Sequence, residues 1–238
     1  MSIKAVLLDL GDTLVGFDRF DYDACLRELH KSLSRDGVTL PYEHFKRAYF
    51  EVRERIYRET EDSREELSFC FRVSETLKLF GYSFNPDDQL IIDAVEAFMN
   101  LQVNSLTMDE QVPSVLQQLR QKYKLALVSN FAHPPMIIQL LNKFDLTSFF
   151  DAIVVSGDIG WRKPSPRIFE SALKVLEVAP SEAVFVGDAP YHDIQGAKKI
   201  GMKTVFLRKS CVEEGVNREN PDKIILKIEE LLEALSDL

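Results

Sequence analysis

Four short apolar runs in this chain each end in, or are soon followed by, a residue suited to phosphate or a hard metal ion. Ala5-Val6-Leu7-Leu8 runs into Asp9, with Gly11-Asp12-Thr13 following as a polar turn. Lys124 to Val128 leads to Ser129 and Asn130. Ala152-Ile153-Val154-Val155 is followed by Lys163-Pro164, and Ala183-Val184-Phe185-Val186 by Gly187-Asp188, with Asp193 five residues later. A carboxylate at the end of a buried strand is held rigidly with its oxygens open to a ligand, and can act as a nucleophile or a metal ligand. A serine hydroxyl and loop amides donate to phosphate oxygens, and a lysine balances anionic charge.

The elements around these residues must bring them together. After Pro113 helical and strand patterns alternate: helix from Val115 to Tyr123, strand 124–128, helix 135–143, strand 152–155, helix 166–177, strand 183–186, helix 190–200, strand 203–207 and a terminal helix over 222–236. Such alternation implies a doubly wound parallel sheet, Rossmann-like, with both faces covered. Strand C-termini in such a sheet share one edge, so the residues above converge on one crevice. Between Tyr22 and Asn104 the pattern is helical only. Cys25, Leu26, Leu29 and Leu33 form one stripe; Phe45, Ala48, Tyr49, Val52 and Ile56 a second; Phe69, Val73, Leu77 and Phe80 a third; and Leu90, Ile91, Ala94, Val95 and Phe98 a fourth, begun by Pro86-Asp87-Asp88. The expected organisation is an α/β core of 1–16 and 106–238, with 17–105 inserted as an α-helical bundle.

The ordered motifs resemble the haloacid dehalogenase-like (HAD) hydrolase superfamily over nearly the whole chain. The resemblance implies that Asp9 is the nucleophile, Ser129 the phosphate-binding hydroxyl with Asn130 beside it, and Lys163 the charge-neutralising lysine. It also implies that Asp188 and Asp193 hold a metal with Asp9 and a backbone carbonyl, that of Gly11. All-oxygen ligation suits Mg²⁺ better than zinc. The helical insertion becomes a cap that closes over the site and selects substrates. One position departs from the pattern: the family usually has a second aspartate two residues after the nucleophile, as general acid and base, and here it is Gly11. Asp12 reads as a turn residue, and Tyr191, His192 and His133 border the crevice without a marked proton-transfer role.

The bulk properties narrow the class. An apolar share of 45%, with 28% charged residues, is that of a globular protein. A net charge of −9 argues against a general nucleic-acid binder. Cys25, Cys70 and Cys211 are odd in number and lack metal-ligand spacing, which suits a reducing compartment. No apolar run is long enough to span a bilayer and no signal peptide is evident, so the expected location is cytoplasmic. The mixture of Arg53, Arg55, Arg58 and Arg64 with glutamates reads as a solvated helical surface, and Arg162 also as solvated. Phe17 and Trp161 are either entrance or packing residues.

The expected function is Mg²⁺-dependent hydrolysis of a small phosphorylated metabolite through an aspartyl-phosphate on Asp9, slowed by Gly11. Three alternatives stand beside it. One is a protein that keeps the Mg²⁺ and phosphate site with little turnover. Another is a phosphonate-cleaving hydrolase, which needs a cap lysine that nothing marks at Lys46 or Lys78. Carbon–halogen hydrolysis is disfavoured because the Gly187-Asp188 pair implies a metal that halide displacement does not need.

Overall fold

The apolar runs become strands because nearly all of their apolar residues are buried on both faces of the sheet. The computed structural model describes residues 2–17, 20–208 and 220–238. Strand β1 (Ala5–Leu8) is wholly buried and leads to the short strand β2 (Val15–Gly16). Four helices follow: α1 (Tyr22–Arg35), α2 (Tyr42–Glu59), α3 (Phe69–Lys78) and α4 (Gln89–Ser105). The chain returns through β3 (Thr107–Met108), α5 (Val112–Arg120), β4 (Lys124–Ser129), α6 (Pro134–Lys143) and β5 (Ala152–Val155). It continues through α7 (Ser156–Ile159), α8 (Pro166–Leu176), β6 (Ala183–Gly187), α9 (Gly196–Lys199), β7 (Lys203–Leu207), β8 (Lys223–Ile225) and α10 (Leu231–Ser236).

Six of the strands form one parallel sheet in the order β5-β4-β1-β6-β7-β8. β1 therefore sits in the middle, flanked by the strands that end in Ser129 and Gly187. Leu8 is level with Leu127 on one side and Val186 on the other. From β1 the chain first builds outward to β4 and β5, then crosses back to β6 and onward. The reversal makes a crevice beyond the strand ends, where open α/β sheets bind ligands.

The helical insertion leaves and re-enters the core through one small ribbon. β2 and β3 pair antiparallel, with Val15 opposite Met108 and Gly16 opposite Thr107. Within the insertion α1 packs on α4 and α2 on α3, burying the four stripes read from the sequence. Tyr22, Tyr49, Phe69 and Phe98 meet as an aromatic cluster, with Phe69 and Phe98 centroids 5.0 Å apart. Two stripe positions differ: Phe80, just beyond α3, is exposed, and Leu90 is only half-buried, because the first turn of α4 lies at the bundle edge.

Several contacts fasten the insertion to the core. Lys143, in the last turn of α6, donates to the carbonyls of Val103 (2.7 Å) and Leu106 (3.0 Å) at the end of α4, where a cation is favoured. The Phe69 amide donates to the Ala132 carbonyl at 2.9 Å, and Ser156 Oγ donates to Glu66 Oε2 at 3.0 Å. Arg162, expected as a solvated residue, is instead only 6% exposed. Its guanidinium donates to Thr60 Oγ1 (2.9 Å), the Thr60 carbonyl (3.1 Å) and the Glu65 carbonyl. The end of α2 and the segment after it supply the acceptors, a tertiary arrangement that local sequence does not mark.

The C-terminal region also departs from expectation. Lys223–Ile225 is not helix but the sixth strand, parallel to β7. Asp222 directs this outcome, because its Oδ2 accepts from the Thr204 amide (3.0 Å) and Thr204 Oγ1 (3.1 Å) and pins the chain beside β7. The expected terminal helix is confined to α10. Similarly, Pro190–Gln195 is a wide helical turn, and regular helix is restricted to α9. Cys25 is buried and Cys70 half-buried, both as free thiols; Cys211 lies outside the described residues. Among the described residues, no helix is long and apolar enough to cross a membrane.

Arg162→Ala should destabilise the protein, because buried carbonyl and hydroxyl acceptors lose a charged donor. The expected cost is about 3 kcal/mol, read as a lower midpoint in urea denaturation. A change within experimental error would show that these bonds do not hold the insertion to the core.

Candidate active site

Asp9 follows directly from β1, and its amide donates to the Val186 carbonyl at 2.9 Å, so the sheet ladder fixes its backbone. The residue is 7% exposed. Lys163, on the segment between α7 and α8, reaches across to it with Nζ 2.5 Å from Asp9 Oδ1. The same ammonium lies 2.7 Å from Asp193 Oδ1 and donates to the Val128 carbonyl at 3.0 Å. Lys163 is 2% exposed. Burial opposes its charged form, but Asp193 and Asp9 outweigh that effect and raise its pKa above the ordinary lysine value.

Asp188 follows β6 and Asp193 lies in the wide turn beyond it. One carboxylate oxygen from each of Asp9, Asp188 and Asp193 lies within 4.8 Å of the others. Three carboxylates thus share one lysine. Burial raises the Asp9 pKa to about 6 against the pull of Lys163, with Asp193 adding to the rise. Burial, followed by repulsion from Asp9, Asp193 and Asp12, raises that of Asp188 to about 7. A buried acidic cluster in this condition fits a cation: hard oxygen donors converge, and positive charge would relieve their repulsion. Asp193 has both oxygens engaged, Oδ1 by Lys163 and Oδ2 by the Ala189 amide at 3.0 Å. Asp188 Oδ1 accepts from Thr13 Oγ1 at 3.3 Å.

Gly187 permits this close assembly. A Cβ built there would lie 2.3 Å from Asp193 Oδ2 and 2.5 Å from its Cγ. Any side chain at position 187 would therefore push Asp193 out of its place.

A cavity of about 300 Å³ is lined by Asp9, Gly11, Asp12, Phe17, Ser129, Asn130, Lys163, Asp188, His192 and Asp193, so the sequence-derived set shares one crevice. Ser129 is buried at its wall. Asn130 is also tied to the segment that carries Lys163. Its Oδ1 accepts from the Lys163 amide at 2.6 Å and its Nδ2 donates to the Lys163 carbonyl at 3.1 Å. Both polar ends of the side chain grip the backbone of the central lysine. His192 Nδ1 is 3.1 Å from the same carbonyl, and burial lowers its pKa.

Asp12 has a left-handed backbone (φ 54°) and its Oδ1 accepts from the Phe17 amide at 3.4 Å, as expected of a turn residue. Trp161 does not line this crevice; its ring lies under the Arg167 guanidinium, 4.0 Å away. Lys46 pairs with Asp23, and Lys78 with Glu75 at 2.7 Å, so both cap lysines are engaged away from the crevice.

A second cavity, about 750 Å³, adjoins the first and shares Asn130, Phe131 and His192 with it. The helical insertion forms much of its wall. Arg53 and Arg64, expected on a solvated surface, line this space together with Arg72 and Arg162. Sequence reasoning missed Thr13, Glu66, Arg72 and Gln102. Thr13 stands in the same turn as Asp12 and offered a local clue, but the others are recognisable only once the helices are packed.

The chain belongs to the haloacid dehalogenase-like hydrolases, whose family profile matches residues 43–207. It is 30% identical over 240 residues to a glyceraldehyde 3-phosphate phosphatase of Methanopyrus kandleri, covering 99% of this chain and 98% of that protein. To the enzyme of the same name from Pyrococcus furiosus it is 28% identical over 235 residues, covering 98% and 93% respectively. Among solved structures, a 2-haloacid dehalogenase from Pseudomonas syringae superposes with a TM-score of 0.77 at 26% identity, over 99% of both chains.

The raised carboxyl pKa values have a sign that experiment can read. In the absence of divalent cations, the folded protein binds protons at Asp9 and Asp188 more tightly than the unfolded chain, whose aspartates titrate near 3.8. The associated stability is fully present below that value and is lost as pH rises through about 6 to 7. Thermal melts without metal should therefore show stability falling across this window. A divalent cation should restore it more at pH 8 than at pH 5. Equal metal-induced shifts at both pH values would contradict the carboxylate assignment.

Proposed function

We propose that the protein is a Mg²⁺-dependent phosphatase acting on a small phosphorylated metabolite. The observation that carries this reading is the convergence of Asp9, Asp188 and Asp193 around Lys163 at the end of β1, facing an open cavity. The names of the phosphatase relatives support it. The reading divides the molecule into a core of 1–16 and 106–238 and a substrate-selecting cap of 17–105.

In this mechanism an oxygen of Asp9 attacks phosphorus while the ester oxygen leaves, giving an aspartyl-phosphate. Water then attacks the phosphorus and releases inorganic phosphate, restoring the Asp9 carboxylate. The departing oxygen gains a proton and the hydrolytic water loses one. Lys163 holds Asp9 in place and offsets negative charge as the phosphoryl group transfers. Ser129 donates to phosphate oxygens, while Asn130 keeps Lys163 in position. Asp9, Asp188 and the Gly11 carbonyl would hold Mg²⁺, with Asp193 supporting the group from behind through Lys163 and Ala189. Mg²⁺ supplies charge neutralisation between an anionic nucleophile and an anionic substrate. The phosphonate-cleaving alternative is weakened because Lys46 and Lys78 are paired elsewhere.

Asp9→Asn should abolish phosphate release from a panel of phosphorylated sugars, glycerols and hydroxy acids, with Mg²⁺ present. Wild-type release no higher than that of the variant would remove the phosphatase reading and favour a protein that binds without turnover.

Gly11 favours slow turnover, since positioned acid–base catalysis is typically worth about 10² to 10⁴ in rate. The nearest neighbour of a Cβ at Gly11 is the Phe17 ring, 3.2 Å away at Cε2, which must give by a few tenths of an ångström. Gly11→Asp should therefore raise kcat by at least about tenfold, measured by steady-state phosphate release. An unchanged kcat would mean that proton transfer at this position does not limit the reaction.

A further inference from the structure

The larger cavity contains a buried cation that feels the Glu66 carboxylate across the space but makes no ion pair with it. Arg72, from α3, is 5% exposed, and no carboxylate among the described residues lies within ion-pair distance of it. Among the described residues its guanidinium makes one hydrogen bond, from Nη1 to the Tyr49 hydroxyl at 3.2 Å, and Nε makes none. Aromatic rings surround the guanidinium: Phe69 at 5.1 Å, Tyr57 at 5.6 Å and Tyr49 at 5.9 Å from ring centroid to Cζ. Packing against rings orients a guanidinium but does not satisfy its donors.

Carboxylates in the same cavity are already engaged. Glu66 accepts from Ser156 Oγ, and Glu61 pairs with Arg64 at 2.6 Å. Among the described residues, four guanidinium groups therefore face a space lined by two carboxylates, Glu61 and Glu66. Gln102, on α4, is 4% exposed and lines the same space with an amide oxygen that has no hydrogen-bond partner. Buried donors and acceptors left unpaired are costly, which makes each a pointer to a missing ligand group.

We propose that this cavity is a recognition site for a second anionic group on the substrate, a carboxylate or a second phosphate. Arg72 is its binding residue, and Gln102 accepts a hydrogen bond from a neighbouring hydroxyl of the same ligand. The proposal rests on the phosphatase reading and narrows its substrate class to phosphate monoesters whose leaving group is itself anionic and hydroxylated. The adjoining smaller cavity takes the phosphoryl group being transferred, and the shared wall of Asn130, Phe131 and His192 marks the passage between the two. A cavity of about 750 Å³ accommodates more than a three-carbon leaving group.

Two matched substrate pairs test this and separate the two anion types. 3-Phosphoglycerate against glycerol 3-phosphate reads a carboxylate; fructose 1,6-bisphosphate against fructose 1-phosphate reads a phosphate. The wild type should prefer the anionic member of at least one pair by about 30-fold in kcat/KM. Arg72→Met should collapse that ratio to near one, chiefly through KM, and Arg72→Lys should restore part of it. A structural role alone would lower both members together and leave the ratio intact, which would overturn the proposal. So would the absence of any preference in both pairs.

Calorimetric titration of the same four compounds into Asp9→Asn protein gives a readout independent of turnover. Preferential binding of an anionic member, lost in the Asp9→Asn, Arg72→Met double variant, would support the anion site even if the wild type released no phosphate. Release of phosphate with equal binding within both pairs would retain the phosphatase reading and reject the anion site.

Discussion

A single buried ammonium organises the crevice at the strand ends of this protein. Lys163 is almost fully removed from water and lies within ion-pair distance of two carboxylates, Asp9 just after β1 and Asp193 in the turn beyond β6. Losing one partner would leave an uncompensated charge in a low-dielectric site, so the three side chains are mutually dependent. Much of the surrounding architecture serves this arrangement. β1 and β6 are adjacent so that the acids can meet, Gly187 has no side chain so that Asp193 can approach, and Asn130 fixes both backbone polar groups of Lys163.

The cluster is nevertheless short of positive charge. With Asp188 included, three acids face one lysine, and burial combined with mutual repulsion drives Asp9 and Asp188 toward protonation. A site designed only for internal stability would pair its charges. Here the shortfall remains at the mouth of a cavity, where a cation and an anionic ligand can both be used. The second cavity has the opposite imbalance, an excess of guanidinium groups over carboxylates. The two neighbouring spaces therefore differ in electrostatic character.

The strand-end residues were legible because the local signals agree: an apolar run long enough for a buried strand, followed by a polar residue with distinctive chemistry. The four inserted helices were legible from the spacing of residues such as Leu26, Leu29 and Leu33. What failed was set by distant partners. Lys223–Ile225 became a strand because Asp222 docks on Thr204, and Arg162 became a buried tie because acceptors around Thr60 and Glu65 reach it. Arg72 sits in an ordinary helical stretch, with its setting supplied by rings and a cavity that exist only after folding. Asn130 is marked by its position after a strand, but its grip on Lys163 spans two segments that meet only in the folded chain.

The narrow ribbon of β2 and β3 gives the molecule a modular character. Gly16 and Thr107 are paired neighbours although the entire helical insertion separates them in sequence. Excising that insertion and joining the two ends with a tight turn would leave the order of the parallel strands untouched. The converse holds as well: segments of very different size can be spliced at this point at a cost that grows only slowly with length. Diversification of the covering domain is thus decoupled, topologically, from preservation of the chemistry beneath it.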